Sequence, residues 1–194
     1  MIPNPRDITP EERSFCEMLG IAVMRWNYVE ALFKTLVFGA VNPPRPGYRV
    51  DTLIAHLGSA ELSDSLKAIA DNYDEPMRSH MKHCSRMFDS ERSHRNHLVH
   101  GCQLFGYEEG GDEPHALTEI VSAKGGQLRI TQPKVSNDDL ESFVSKTEEA
   151  RKYFTAVLLI LWGGKSADGL RELEKPPVRK PIERSYSPLI PAGA

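Results

Sequence analysis

Seven consecutive residues, Arg95-Asn96-His97-Leu98-Val99-His100-Gly101, place a guanidinium, an amide and two imidazoles directly before a glycine. Arginine offers a planar, permanently charged fork suited to phosphate oxygens. Histidine takes or gives a proton near neutral pH, and a helix C-terminus favours its protonated form. Arg95 and His100 are therefore a minimal set for metal-free cleavage of an RNA phosphodiester. The imidazole would move the 2′-hydroxyl or leaving-group proton. The guanidinium would stabilise charge on the phosphorus oxygens. Asn96 could orient either group. A helix advances about 100° per residue, so Arg95 and His100 diverge by roughly 140° while Asn96 and His100 stack on one face. Arg95 and His100 converge only if the last turn loosens or a second copy supplies the missing partner.

Two other readings use the same residues. In the structural one, Arg95 pairs with Glu91 or Glu30, and His100 is simply favoured by the helix dipole. In the metal one, Glu91, His94, His97 and His100 step by three. Each step rotates about 60° backwards, so the four spread over half the helix circumference. A zinc site needs three or four convergent ligands, which one straight helix does not provide here. His80 and His83 share this spacing. The favoured reading needs no metal and no cofactor.

The segment around the motif is locally basic. Residues 78–100 hold Arg78, Lys82, Arg86, Arg92 and Arg95 against Asp89 and Glu91, with His80, His83, His94, His97 and His100. The whole chain has a formal charge of -3, which excludes polyanion binding by bulk electrostatics. Nucleic-acid contact would have to be local, with Lys82, Arg86 and Arg92 as the candidates. A solvated helix face is the alternative for those three.

The elements that must position these groups are mostly helical. Thr9-Pro10-Glu11-Glu12 predicts a capping box and a helix start, continuing to about residue 38. Leu19, Ala22, Val23, Trp26, Val29, Leu32, Phe33 and Leu36 recur at three- and four-residue steps and make its apolar face. Glu30 borders that face, either solvated or partnering an arginine. Asn42 to Gly47 forms a stiff loop. A short helix is predicted over 51–57 and another from Ser59, its cap, to about residue 73. Asp74-Glu75-Pro76 opens the motif-bearing helix. Its stripe of Met77, Met81, Cys84, Phe88, Glu91, Arg95, Leu98 and Cys102 is apolar first and ionic later. A core face that becomes ionic meets a partner charge, a cleft or an interface. Residues 103–107, 117–123 and 127–132 read as strands, the last two forming a hairpin around Lys124-Gly125-Gly126. Ser136 and Asp139 cap a final helix carrying Leu140, Phe143, Val144, Thr147, Ala150, Phe154, Val157, Leu158 and Leu161, which ends near Gly163.

At 194 residues, with 40% hydrophobic and 26% charged residues, the chain suits one soluble domain. We assign 1–163 to a helical domain with a β insertion over about 103–133. Residues 164–194 are a proline-rich tail expected to be disordered or loosely docked. Cys16, Cys84 and Cys102 form no disulfide framework. The polar, proline-punctuated start lacks a signal-peptide pattern and no run is long enough to span a bilayer, so a cytoplasmic location is expected.

The Arg95–Gly101 stretch resembles the Arg-x(4–6)-His signature of HEPN-like proteins (higher eukaryotes and prokaryotes nucleotide-binding), in which a polar residue, often Asn, follows the arginine. Trp26-Asn27-Tyr28-Val29-Glu30-Ala31-Leu32 looks like that family's first long helix. The motif at a helix end, the β insertion and the closing apolar helix also match, over roughly residues 10–163. The resemblance implies a mainly α fold, a HEPN-like antiparallel helical bundle with a small β-hairpin flap before the last helix. It also implies a homodimer with two motifs facing each other. Many members are metal-independent endoribonucleases of toxin–antitoxin, phage-defence or RNA-processing systems; others are inactive binding or scaffold modules. By carry-over Arg95 and His100 are catalytic and Asn96 supports them. Glu30 and His97 are our added supporting residues. RNA, a second copy and an antitoxin or other protein are the expected partners, with no membrane.

Overall fold

In a computed structural model, the described residues are 8–41, 54, 56–99, 102–107, 114–124, 127–131, 134–163, 167–180 and 187–188. They are mainly helical, as α1 (Pro10–Val41), α2 (Ser59–Ala70), α3 (Met77–Val99), α4 (Asn137–Gly163) and α5 (Ala167–Arg171). The helix expected over 51–57 lies largely outside the described residues. Among the described residues no helix is long and apolar enough to cross a membrane.

Helix starts follow local chemistry. At α1 the Thr9 N–H donates to Glu12 Oε2 at 2.9 Å and the Glu12 N–H to Thr9 Oγ1 at 3.2 Å, a reciprocal capping box. Ser136 and Asp139 repeat it at α4, at 2.9 and 3.2 Å. Ser59 is not a cap: Gly58 holds that position without a side-chain bond, and Ser59 Oγ donates instead to Glu30 Oε1 at 2.9 Å. A carboxylate one helix away competes successfully for the hydroxyl.

The chain divides into two compact units, each discontinuous in sequence. The first comprises residues 1–24, 93–144 and 182–194. It buries Phe15, Ala22, Leu98, Val135, Leu140 and Phe143. It also contains strands β1 (Cys102–Tyr107), β2 (Pro114–Lys124), β3 (Gln127–Thr131), β4 (Lys134–Val135) and β5 (Ser187–Pro188). Antiparallel β1 and β2 pair from Cys102↔Glu119 to Tyr107↔Pro114; β2 and β3 pair from Ile120↔Thr131 to Lys124↔Gln127. β4 adds to β2 and β5 to β3.

The second unit, residues 25–92 and 145–181, is a helical bundle around an aromatic stack. Phe88 of α3 lies 3.9 Å from Phe33 and 5.2 Å from Trp26, ring centre to ring centre, and Phe33 meets Phe154 of α4 at 5.4 Å. All four are buried, as are Leu36, Leu62, Leu66, Met81 and Val157. Stacked and tilted aromatic pairs add to the stabilisation from the area they bury. Tyr73 Oη donates to the Ala40 carbonyl at 2.7 Å, tying the turn before α3 to the end of α1.

The proline-rich stretch after α4 is not featureless. Residues 173–180 have no regular secondary structure and are held along α3 by His83 and Ser90, and Leu170 of α5 is buried. The physical reason lies on α3: Glu91 sits on the apolar stripe and is 4% exposed, so it requires a cation. Arg179 supplies it.

Candidate functional site

The motif occupies the last turns of α3. Arg95 Nη1 donates to Asn96 Oδ1 at 3.2 Å, and His94, Arg95, Asn96 and His97 are all half-buried. The amide thus holds the guanidinium beside it, a role open to a polar residue directly after the arginine. His100 and Gly101 lie outside the described residues. The described part of the motif is therefore an oriented arginine at a helix end, where the backbone carbonyls carry partial negative charge.

Glu30 is engaged by neighbours in the helical bundle. Trp26 Nε1 donates to Oε2 at 3.1 Å, Ser59 Oγ donates to Oε1, and Lys34 Nζ stands 3.8 Å away. Its carboxylate links α1 to the start of α2.

The three basic candidates are each met by another side chain. Lys82 Nζ lies 2.6 Å from Asp71 Oδ1, and this contact holds the Asp71 carboxyl below its ordinary range. Arg92 Nη2 donates to Asp89 Oδ1 at 3.2 Å. Asp89 also accepts from Ser63 Oγ and Lys67 Nζ, both at 2.8 Å, and this bond raises the Lys67 ammonium. Arg86 Nη2 faces His83 Nδ1 at 3.4 Å.

A second polar cluster is built on His80 and His83. His80 is 3% exposed and His83 6% exposed. His80 Nδ1 meets Tyr153 Oη of α4 at 2.6 Å, and the His83 ring packs edge-on against the same tyrosine. His83 Nε2 is 2.9 Å from the Pro176 carbonyl, which can only accept, so Nε2 carries the proton and Nδ1 is the acceptor facing Arg86. Burial pushes both imidazoles below their ordinary value, and it pushes the Tyr153 phenol and the Cys84 thiol up. The neutral form of both imidazoles is favoured by that burial.

Sequence reasoning missed Arg179 and Tyr153. Arg179 grips Glu91 with two nitrogens: Nε donates to Oε1 at 3.1 Å and Nη2 donates to Oε2. The signal for Arg179 was a carboxylate on a core stripe, which demands a cation from somewhere. Tyr153 had none beyond lying beside Phe154 on an apolar helix.

Among the described residues no three histidine, cysteine or carboxylate side chains converge as metal ligands. Compared with family models, with curated proteins and with solved structures, the chain has no match.

Proposed function

We propose that this chain is a HEPN-like, metal-independent endoribonuclease whose active site forms between two copies. Arg95 stabilises charge on the phosphate and His100 moves the proton of the 2′-hydroxyl or the 5′-leaving oxygen. The 2′-oxygen bonds to phosphorus as the bond to the 5′-oxygen breaks, which leaves a cyclic phosphate. Asn96 orients Arg95, with His97 and Glu30 in supporting places. Lys82, Arg86 and Arg92 would meet the RNA backbone by exchanging their present partners for phosphate. The strands after α3 serve as a flap in this reading, and a toxin–antitoxin or phage-defence setting suits it.

One observation carries the proposal: the guanidinium of Arg95 is hydrogen-bonded to Asn96 in the last turns of a long helix, in the frame Arg-Asn-x-x-x-His. The angular divergence of positions 95 and 100 supports the second copy, since a two-fold axis brings two half-sites together. The test is incubation of the full chain with mixed RNA in EDTA, wild type against His100→Ala. Cleavage by the wild type alone is expected. Cleavage by neither, on several RNAs, removes the proposal.

The alternative is an inactive helical module that binds a protein or RNA partner. The engagement of Lys82, Arg86 and Arg92 by Asp71, His83 and Asp89 favours it, because each phosphate contact would first break an internal one.

A further inference from the structure

We propose that the α3 face carrying His83, Ser90 and Glu91 is a peptide-binding site. It fits a partner protein that presents an extended Pro-x-x-Arg segment, and residues 173–180 fill it from within the same chain. The segment is held by few, specific features. His83 Nε2–H donates to the Pro176 carbonyl at 2.9 Å, and Ser90 Oγ donates to the Arg179 carbonyl at 2.8 Å. The Arg179 guanidinium takes both oxygens of Glu91. Lys175 Nζ adds a bond to Ser79 Oγ. Two of these contacts read main-chain carbonyls, which any peptide offers. One reads an arginine.

The spacing makes the site a ruler. His83 and Ser90 are seven residues apart, about 10 Å along the helix at about 1.5 Å per residue. Pro176 and Arg179 are three residues apart, about 9 Å in a polyproline-like chain at about 3.1 Å per residue. Pro177 and Val178 between them are exposed. A ligand therefore needs a proline-stiffened extended backbone, a carbonyl at the first position and an arginine three residues on. Stiff extended segments lose little freedom on docking, which is why such surfaces read them.

Glu91 makes the assignment demanding. A carboxylate this deeply placed on an apolar stripe cannot be left without a cation. The site selects for arginine, whose fork matches both oxygens, over a neutral residue. The chain's own segment has the advantage of a high effective concentration, so a partner must displace it.

The test uses a fluorescent nine-residue peptide with the sequence of residues 172–180, titrated by anisotropy into the full chain. Wild type should bind weakly, because its own segment competes. Arg179→Ala should bind at least tenfold more tightly, and a peptide carrying alanine in place of its arginine should not bind. Adding Glu91→Gln to Arg179→Ala should abolish the gain. Equal binding to wild type and Arg179→Ala, or to both peptides, overturns the proposal. Should circular dichroism show Arg179→Ala unfolded, trypsin cleavage of the wild type after Arg179 is the second measurement. Excess of an eight-residue peptide ending at its arginine (residues 172–179), which offers trypsin no bond to cut because its lysine precedes proline, should speed that cut by freeing the segment; an unchanged rate overturns the proposal. A wild-type dimer that Arg179→Ala dissolves would overturn the partner assignment in favour of a second copy's segment.

Discussion

Arg179→Ala removes the cation facing Glu91 and should be among the most costly single changes in the chain. The glutamate is 4% exposed and stays in place on α3, whereas Arg179 retains 20% side-chain exposure. Removing one partner of a buried pair costs about 3–5 kcal/mol, because the remaining charge has neither water nor a counterion. The segment can also let go and admit water to Glu91, so the loss is limited by the free energy that holds residues 173–180 on α3. We therefore expect about 3 kcal/mol, at the lower end of that range. Glu91→Gln should cost less, about 1–2 kcal/mol, since the amide keeps the shape and one hydrogen bond while the arginine reaches water. In the double variant, Arg179→Ala should add little to Glu91→Gln, because no buried charge remains. Urea unfolding of all four proteins followed by circular dichroism gives the cycle. Arg179→Ala within about 0.5 kcal/mol of wild type, the ordinary range for a surface change, would refute the reasoning.

Four further outcomes follow from the same structure. Phe88→Ala opens a cavity between Trp26 and Phe33 and should cost about 3–5 kcal/mol by urea unfolding, against under about 1.5 for Phe88→Leu with repacking. Because burial depresses His80 and His83, the unfolded chain takes up protons first; their contribution is whole above pH about 6.5 and lost as pH falls through the folded values, so wild type should weaken between pH 7.5 and 5.5 more than His80→Asn/His83→Asn does. In native protein iodoacetamide should modify exposed Cys16 and spare Cys84, whose buried thiol is held protonated, until urea is added; peptide mass spectrometry reads both sites. Tyr73→Phe should cost about 1 kcal/mol in the same unfolding assay through the lost bond to the Ala40 carbonyl.

What the sequence discloses follows from how far each determinant reaches. The caps at Thr9 and Ser136 and the stripes from Ala22 to Leu36 and Leu140 to Leu158 need only neighbours three or four residues away, and the periodicity places them. Ser59 looks like a cap from its neighbours alone, but its hydroxyl goes to Glu30, 29 residues away. The same distance problem hides Arg179, 88 residues from Glu91, and Tyr153, 73 residues from His80. In each case the helical pattern exposes the need, a buried charge or imidazole, but not the residue that meets it. At the motif, the sequence names Arg95, Asn96 and His100, and the structure adds the Arg95–Asn96 bond. Composition alone marks residues 172–180 as tail; the prolines that suggest disorder also stiffen the segment that docks.

The most direct measurement for the central claim is RNA cleavage in EDTA by Arg95→Ala and His100→Ala, each alone and then mixed and allowed to exchange subunits. If one copy supplies the arginine and the other the histidine, each variant alone is inactive. Half of the mixed dimers would then be hybrids with one intact site of two, so activity should return to about a quarter of wild type. A mixture as inactive as its parts contradicts the shared site, and a wild type that cleaves no RNA under these conditions contradicts the ribonuclease itself.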